Sequence, residues 1–256
     1  MAEQSEARNE ALDWQGRPLR CQDCPHEDIH AEGRCDLGAV CVADRRSRRI
    51  ENFFRRNEAL AERYLRHPYF EVRVLAARHA SLFALPALLN DPEPDVRAVL
   101  AERLPLSRVR PLRRDPDPQV RAVLARRLEG PELTTLLQDP DYGVRMVAAR
   151  RVAPDALVLL VHDREVEVRR TAARHAPDHL LLRFVGDEDA LVRLEVARRL
   201  APNHLHLLRD DGDMRVRHAV AERLPLPELA ALRDDPVDEI AELVRARLAA
   251  SAHDGL

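Results

Sequence analysis

The sequence predicts an all-α fold: a solenoid of 24-residue repeats, each built from one full helix and one short, tighter helix, preceded by a small Cys-rich head. Three observations predict it. The pair Val-Arg returns at one constant interval, at Val72-Arg73, Val96-Arg97, Val120-Arg121, Val144-Arg145, Val168-Arg169, Val192-Arg193 and Val216-Arg217, with Ile240 as an eroded eighth member. No insertion or deletion breaks that register, and a fixed period of roughly 20 to 50 residues marks stacked units that each bury a face against the next. Within a period, apolar residues fall at helical spacing, as in Val96, Val99, Leu100 and Leu104. All four Cys of the chain lie between positions 21 and 41. The expected organisation is a metal-cluster domain over 1–50, a junction and partial capping repeat over 51–66, and about eight helical repeats over 67–256.

In the head, Cys21 and Cys24 form a C-x2-C followed by Pro25, Cys35 comes after ten intervening residues and Cys41 after five more. Four thiols so grouped, in a chain otherwise free of Cys, read as a ligand set. The segment has too little apolar content to fold alone, so a metal centre would supply its stability. Structural zinc usually takes two short pairs, and here the second pair has a wider gap. Iron–sulfur clusters accept more varied Cys spacing. The spacing therefore favours iron–sulfur and leaves zinc open. His26 and His30 are expected beside the centre rather than in its ligand set, because four thiols already complete one. The run Asp44-Arg45-Arg46-Ser47-Arg48-Arg49, with Arg55 and Arg56 beyond, has two readings. Guanidinium groups beside a negative cluster would stabilise its reduced form and guide a partner in; a solvated helix face is the alternative.

At the junction stand six of the nine aromatics: Phe53, Phe54, Tyr64, Tyr69, Phe70 and Phe83. Large rings there suit a cap that seals the first repeat, since a terminal repeat must hide a face that has no neighbour. Ile50 to Leu65 reads as half a worn repeat.

In the repeats, Asp-Pro (Asp91-Pro92, Asp115-Pro116, Asp139-Pro140, Asp235-Pro236) is expected to start the long helix, the carboxylate capping free amides and Pro taking the first helical position. Asp163, Asp187 and Asp211 hold the same place without Pro. Pro105, Pro154, Pro177, Pro202 and Pro225 stop the helix or open the next segment. The ten or so residues that remain carry apolar pairs three apart, such as Leu133 and Leu136, which fits one short helix of the 3-per-turn type. A strand-lined horseshoe is disfavoured, because its L-x-L strand and Asn are missing and Ala with Arg favours helix.

An acid stands four residues before the repeat Arg in Glu93/Arg97, Asp117/Arg121, Asp141/Arg145, Glu165/Arg169, Asp189/Arg193 and Asp213/Arg217. These pairs are expected either as exposed bridges within a repeat or as part of an Arg ladder (Arg73, Arg97, Arg121, Arg145, Arg169, Arg193, Arg217) offered to an acidic or phosphate-bearing partner. Ala five after the Val (Ala77, Ala101, Ala125, Ala149, Ala173, Ala197, Ala221) lets neighbouring helices approach. Arg or His seven after the Val (His79, Arg103, Arg127, Arg151, His175, Arg199, Arg223) either snorkels to helix-end carbonyls or lines the inner curve.

Composition narrows the function classes. Net charge is −3, and all 41 basic residues are Arg. A general nucleic-acid binder usually shows a strong basic excess. The polar first 20 residues lack the apolar core of a signal peptide, and no run of about 18 apolar residues could span a membrane. A cytoplasmic location with reduced thiols is expected.

The periodic motif D-P-x-x-x-V-R-x-x-x-A (Asp91 to Ala101, Asp115 to Ala125, Asp139 to Ala149), together with Cys21, Cys24, Cys35 and Cys41 at the head, resembles the leucine-rich repeat variant family. The likeness covers nearly the whole chain. It implies alternating α- and 3₁₀-helices in a right-handed superhelix without β-structure, a 4Fe–4S cluster on the four Cys, and a context beside nitrogen-fixation genes in nitrogen-fixing bacteria. The chain departs from the pattern where Asp163, Asp187 and Asp211 lack Pro, and where Ala241 and Arg245 replace Arg and Ala in the last repeat.

Three functions compete. The first is an iron–sulfur scaffold that binds another protein, such as a redox partner, in a redox- or iron-responsive way. The second is nucleic-acid binding along the Arg ladder, weakened by the net charge and by the lack of stacking aromatics within the repeats. The third is an enzyme, for which G-x-G-x-x-G, P-loop and H-E-x-x-H signatures are all missing; no catalytic role is expected. A zinc-stabilised structural scaffold is the alternative to the first.

Overall fold

The computed structural model describes residues 11–253, with side chains as far as 250, so the first ten residues of the expected head and the last three of the expected solenoid lie outside the described residues. The chain divides into two compact units, Met1–Arg127 and Leu128–Leu256.

The first unit holds the head and the long helices Ser47–Arg56, Phe70–His79, Pro94–Arg103 and Pro118–Ala125. The second holds Tyr142–Ala149, Val166–His175, Ala190–Arg199, Met214–Arg223 and Asp238–His253. From Phe70 onward successive helices begin at the same constant interval as the Val-Arg pairs. Between them run 3₁₀ segments such as Leu85–Leu88, Pro154–Leu160 and Pro202–Leu208. In several repeats an α-turn precedes the 3₁₀ segment, as Leu106–Val109 precedes Arg110–Arg114. Among the described residues there is no strand, only isolated bridges at Leu12–Pro18 and Asp36–Val40. Residue 50 falls inside Ser47–Arg56, so the head gives way to repeat-like helix at Arg46.

The repeat pattern translates directly into burial. Every repeat Val, and Ile240, is fully or almost fully buried, as are Ala77, Ala101, Ala125, Ala149, Ala173, Ala197 and Ala221. A methyl side chain at that position leaves room for the next helix at close-packed density. The Arg seven after the Val crosses to the preceding repeat and donates to the carbonyls that end its long helix. Arg199 reaches Ala173 O and Ala176 O at 2.7 Å each, and Arg223 reaches Ala197 O at 2.7 Å and Leu200 O at 2.9 Å. These carbonyls have no partner within their own helix, so the guanidinium satisfies them and meets the negative end of the dipole. Arg103 and Arg127 do the same in the first unit, to Ala77 and Ala80 and to Ala101 and Leu104. Of the two expected placements for this residue, the carbonyl-binding one is observed.

Two expectations about the repeat acids need correction. The Asp of Asp-Pro does not begin the long helix, which starts three residues later. The capping residue is the acid four before the Arg: Asp117 accepts from the N–H groups of Gln119 and Val120, Asp141 from Val144, Asp189 from Leu191 and Asp213 from Arg215. In these four repeats the acid is occupied as a cap, whereas Glu93 and Glu165 hold the same N-cap position without a side-chain cap bond.

The repeat Arg instead pairs with the Asp at the entrance to the following repeat. Arg73–Asp91, Arg97–Asp115, Arg145–Asp163, Arg169–Asp187, Arg193–Asp211 and Arg217–Asp235 are all two-pronged, with Nε to Oδ2 at 2.6–2.8 Å. The same Asp accepts, on Oδ1, the N–H two residues on, as Asp115 does from Asp117 at 2.9 Å. The third guanidinium nitrogen of Arg97 donates to Asp91 O and Pro92 O, and that of Arg121 to Asp115 O and Pro116 O. Arg73, Arg97, Arg121, Arg145 and Arg169 are buried, and Arg193 and Arg217 nearly so. Within each unit the repeat Arg residues are internal rivets, not a surface offered to a partner. A planar fork suits this place because it joins three chain segments at once.

Candidate metal centre

Short, tightly turned pieces position the four Cys. Cys21–Asp23 is a single 3₁₀ turn whose Cys21 carbonyl accepts from Cys24 N–H at 3.1 Å. The helix Glu27–Ala31 follows and is stopped at Gly33, whose φ of 71° is a conformation a side chain would strain. Arg34 N–H closes that end on Ile29 O, turning the chain back to Cys35. A second reversal, with Gly38 at φ 86°, is clasped by Asp36 N–H on Val40 O and delivers Cys41. All four thiols end on one cavity, with Leu19, Leu37 and Val40 as apolar wall and His26 and His30 on its margin. None of the four is in a disulfide.

The electrostatics are those of a site short of positive charge. Burial pushes the Cys41 thiol up to about 11, although the backbone N–H groups of Ala43 and Asp44 favour the thiolate. Cys35 is raised by burial and then by Cys24 and Cys21. A metal ligand must be the thiolate, so binding a metal centre here releases the protons. The donor set fits an iron–sulfur cluster: the four Cys line one shared, largely apolar cavity. Among the described residues, no three His, Cys, Asp or Glu side chains are grouped as the ligands of a single ion.

His26 is buried and hydrogen-bonded to the Tyr64 hydroxyl, and burial lowers its pKa. Its ring lies against Phe53 and Tyr64 at centroid distances of 5.3 and 5.8 Å. His30 Nδ1 lies 3.2 Å from Cys35 O. Both therefore stand beside the thiols, with His26 linking the cavity to the cap.

That cap is Phe53, Phe54 and Tyr64, stacked edge to face, with Phe54 against His79 of the next helix. Tyr69 stacks on Trp14 and packs edge-on to Phe70. Phe83 does not join them: it is 96% exposed. It follows the end of Phe70–His79, where the chain has already turned outward, so its ring is a correction to the expected cap.

Three further ties between head and repeats escaped the sequence reading. Asn57 Nδ2 donates to Arg34 O and Phe53 O, and its Oδ1 accepts from Arg34. Asp44 is completely buried and binds Arg49 at 2.7 Å while also accepting Arg46 N–H. Cys41 N–H donates to Arg49 O at 3.2 Å. Of the Arg-rich run, Arg49 is thus internal, while Arg45, Arg48, Arg55 and Arg56 are exposed.

Comparisons with known proteins agree with this geometry. Residues 11–63, which contain all four Cys and the Phe53–Phe54 pair, match the family model for the LRV protein FeS4 cluster. Over 90% of its length the chain is similar, at 35% identity and a TM-score of 0.85, to a solved structure described as a leucine-rich repeat variant with a novel repetitive protein structural motif, of which it covers 99%. A 27.7 kDa protein from the nifB 3′ region of Rhodobacter capsulatus is 52% identical over 85 residues, so the match spans 33% of this chain and 35% of that relative.

Proposed function

The chain belongs to the leucine-rich repeat variant family, and from that premise we propose that it is an iron–sulfur scaffold that binds a partner protein in a redox- or iron-responsive way. Cys21, Cys24, Cys35 and Cys41 hold a 4Fe–4S cluster in this reading. When bound, such a cluster supplies one-electron chemistry and fixes four chain segments at once. The protein's own residues transmit its presence: Cys41 through Arg49 to the helix Ser47–Arg56, and the cavity margin through His26 to Tyr64.

The observation that carries the reading is that the walls of the thiol cavity and the cap over the first repeat are one packed body. Loss of the cluster therefore loosens a repeat face as well as the head. The role is binding rather than catalysis, and the reducing cytoplasm is the compartment that keeps the thiols free. No helix among the described residues is long and apolar enough to cross a membrane. Nucleic-acid binding along Arg73 to Arg217 is not carried forward, because those guanidinium groups are spent on Asp and carbonyl oxygens inside the stack.

Anaerobic purification with iron and sulfide analysis, followed by capture of bound proteins with the cluster intact and oxidised, tests the reading. A brown protein whose partners change on oxidation is expected. A colourless, zinc-loaded protein with unchanged partners would remove it.

A further inference from the structure

One face of the helix Ser47–Arg56 is cationic and makes no ion pair among the described residues. Arg48, Asn52, Arg55 and Arg56 share that face by helical spacing, and Arg45 precedes it by one turn. Arg45, Arg48, Arg55 and Arg56 are exposed, and none makes an ion pair among the described residues, unlike Arg49, which is held by Asp44. The one acid of this helix is turned elsewhere, Glu51 lying 3.1 Å from His79. Unpaired guanidinium groups on one surface are an electrostatic footprint for an anionic partner.

The position of the face narrows the partner. Arg48, Arg49 and Asn52 line a surface hollow of about 310 Å³ together with Gly38 and Ala39. Asn52 Nδ2 donates to Ala39 O at 3.3 Å, which holds the loop against the helix. Ala39 is two residues from Cys41, so the floor of the cationic hollow is joined to a cavity thiol by a short covalent path. A nucleic acid would gain nothing from that proximity, whereas a protein that exchanges electrons would.

We propose that the Arg45–Arg48–Arg55–Arg56 face is the docking surface for an acidic one-electron carrier protein, which approaches the centre over the Gly38–Cys41 loop. The proposal rests on the iron–sulfur reading above. The exchange is balanced: one electron leaves the reduced carrier, which is oxidised, and one enters the cluster, which is reduced. No bond forms or breaks, and no further reactant is needed.

The test titrates the anaerobically purified, iron-loaded protein with a plant-type 2Fe–2S ferredoxin as the acidic carrier, at low and at moderate salt. Binding is expected to weaken as salt rises, because contacts of this kind are screened. Arg48→Glu with Arg55→Glu should weaken binding by about tenfold or more at low salt and flatten the salt dependence. It should leave iron content and melting temperature unchanged, since both side chains are exposed and neither makes a hydrogen bond or ion pair among the described residues. Arg198→Glu, an exposed charge in the second unit, should bind as the native protein does. Stopped-flow bleaching of the cluster by reduced ferredoxin should slow in step with binding, while bleaching by dithionite stays the same.

The proposal is overturned if the double variant binds ferredoxin as tightly as the native protein, or if Arg198→Glu weakens binding equally. A cluster that dithionite cannot reduce, or a DNA duplex that binds with the same sensitivity to the double variant, overturns it too. A preparation without iron defeats the iron–sulfur reading itself, which separates that failure from failure of the docking face.

Discussion

The head and the repeats solve the same problem, holding short helices together, by opposite means. In the repeats one joint is copied: an Arg clamps the Asp at the entrance to the next repeat, an Ala admits the neighbouring helix, and a second Arg seals the previous helix end. Each copy involves only adjacent repeats, so the stability of the stack is close to a sum of small equal terms. The head has no copied joint. Its described apolar core is little more than Ile29, Val40 and Val42, and its turns converge on the cavity that the four Cys line. A repeat is self-sufficient once it has a neighbour; the head depends on what the thiols hold.

The sharpest way to break that contrast is at Cys41, the most strongly perturbed of the thiols. Cys41→Ser should abolish iron retention and open the head to proteolysis near Gly33 and Gly38, while the far-ultraviolet helical signal of the repeats persists. Iron analysis and mass mapping of a limited digest read both halves of the expectation. A variant that keeps its iron, or that loses its repeat helices as well, would show that the two regions do not differ as described. Next in size is Phe54→Ala, because Phe54 is wholly buried where the regions meet. Removing a buried aromatic costs about 3–5 kcal/mol. Here the loss should appear in both regions at once, as earlier unfolding of the first repeats and faster release of iron, followed by hydrogen exchange and by absorbance.

How much of this was legible in the sequence differs between the regions for a physical reason. The buried Val and Ala and the helix-end Arg followed from period and helical angle, because a repeat's environment is its own sequence copied. The Arg–Asp clamp is equally periodic, since Arg73 and Asp91 recur as Arg97 and Asp115 throughout, yet local sequence rules do not reveal it. Local rules place Asp-Pro at a helix start and pair charges four apart, and the longer-range fork displaced both. In the head, the four Cys were visible as a set from their isolation. Asn57, the buried Asp44–Arg49 pair and the His26–Tyr64 bond were not, because each occurs once and spans a distance that only the fold sets. Phe83 is near the cap in sequence, but a single turn of backbone carries its ring into solvent.

The clamp itself can be sharpened quantitatively. Arg97→Ala strands the buried carboxylate of Asp115, and breaking a buried pair from one side costs about 3 kcal/mol. Urea unfolding should show that loss with iron content unchanged. Arg97→Met combined with Asp115→Leu should recover much of it, since replacing both partners by apolar groups removes the stranded charge. The same clamps make the stack sensitive to acid. Burial alone would raise the pKa of Asp115, but Arg97 and the Asp117 N–H outweigh it and the net direction is down; Asp235 is lowered first of all by its bond from Arg217. A carboxylate with a depressed folded-state pKa contributes stability that is present above its unfolded value, 3.8 for these Asp. That contribution is lost as pH falls through the lower folded value. The melting temperature of the repeats should therefore stay level at neutral pH and fall in the acid range below about 4. Arg97→Met with Asp115→Leu should show a shallower fall than the native protein, because one clamp no longer titrates.

The smallest expected effect tests where the junction ends. Phe83→Ser removes a ring that is almost entirely in solvent, and surface changes of this kind stay within about 0.5 kcal/mol. Melting temperature, iron content and head proteolysis should all match the native protein. The cap stops at His79, whose ring meets Phe54 and whose side chain faces Glu51. Beyond it the chain belongs to the repeats, where an outward-facing residue between two helices touches nothing that the stack needs. A clear loss of stability in Phe83→Ser would mean that the one-off architecture of the head reaches a full turn further into the repeats, and the division between copied and singular joints would have to move with it.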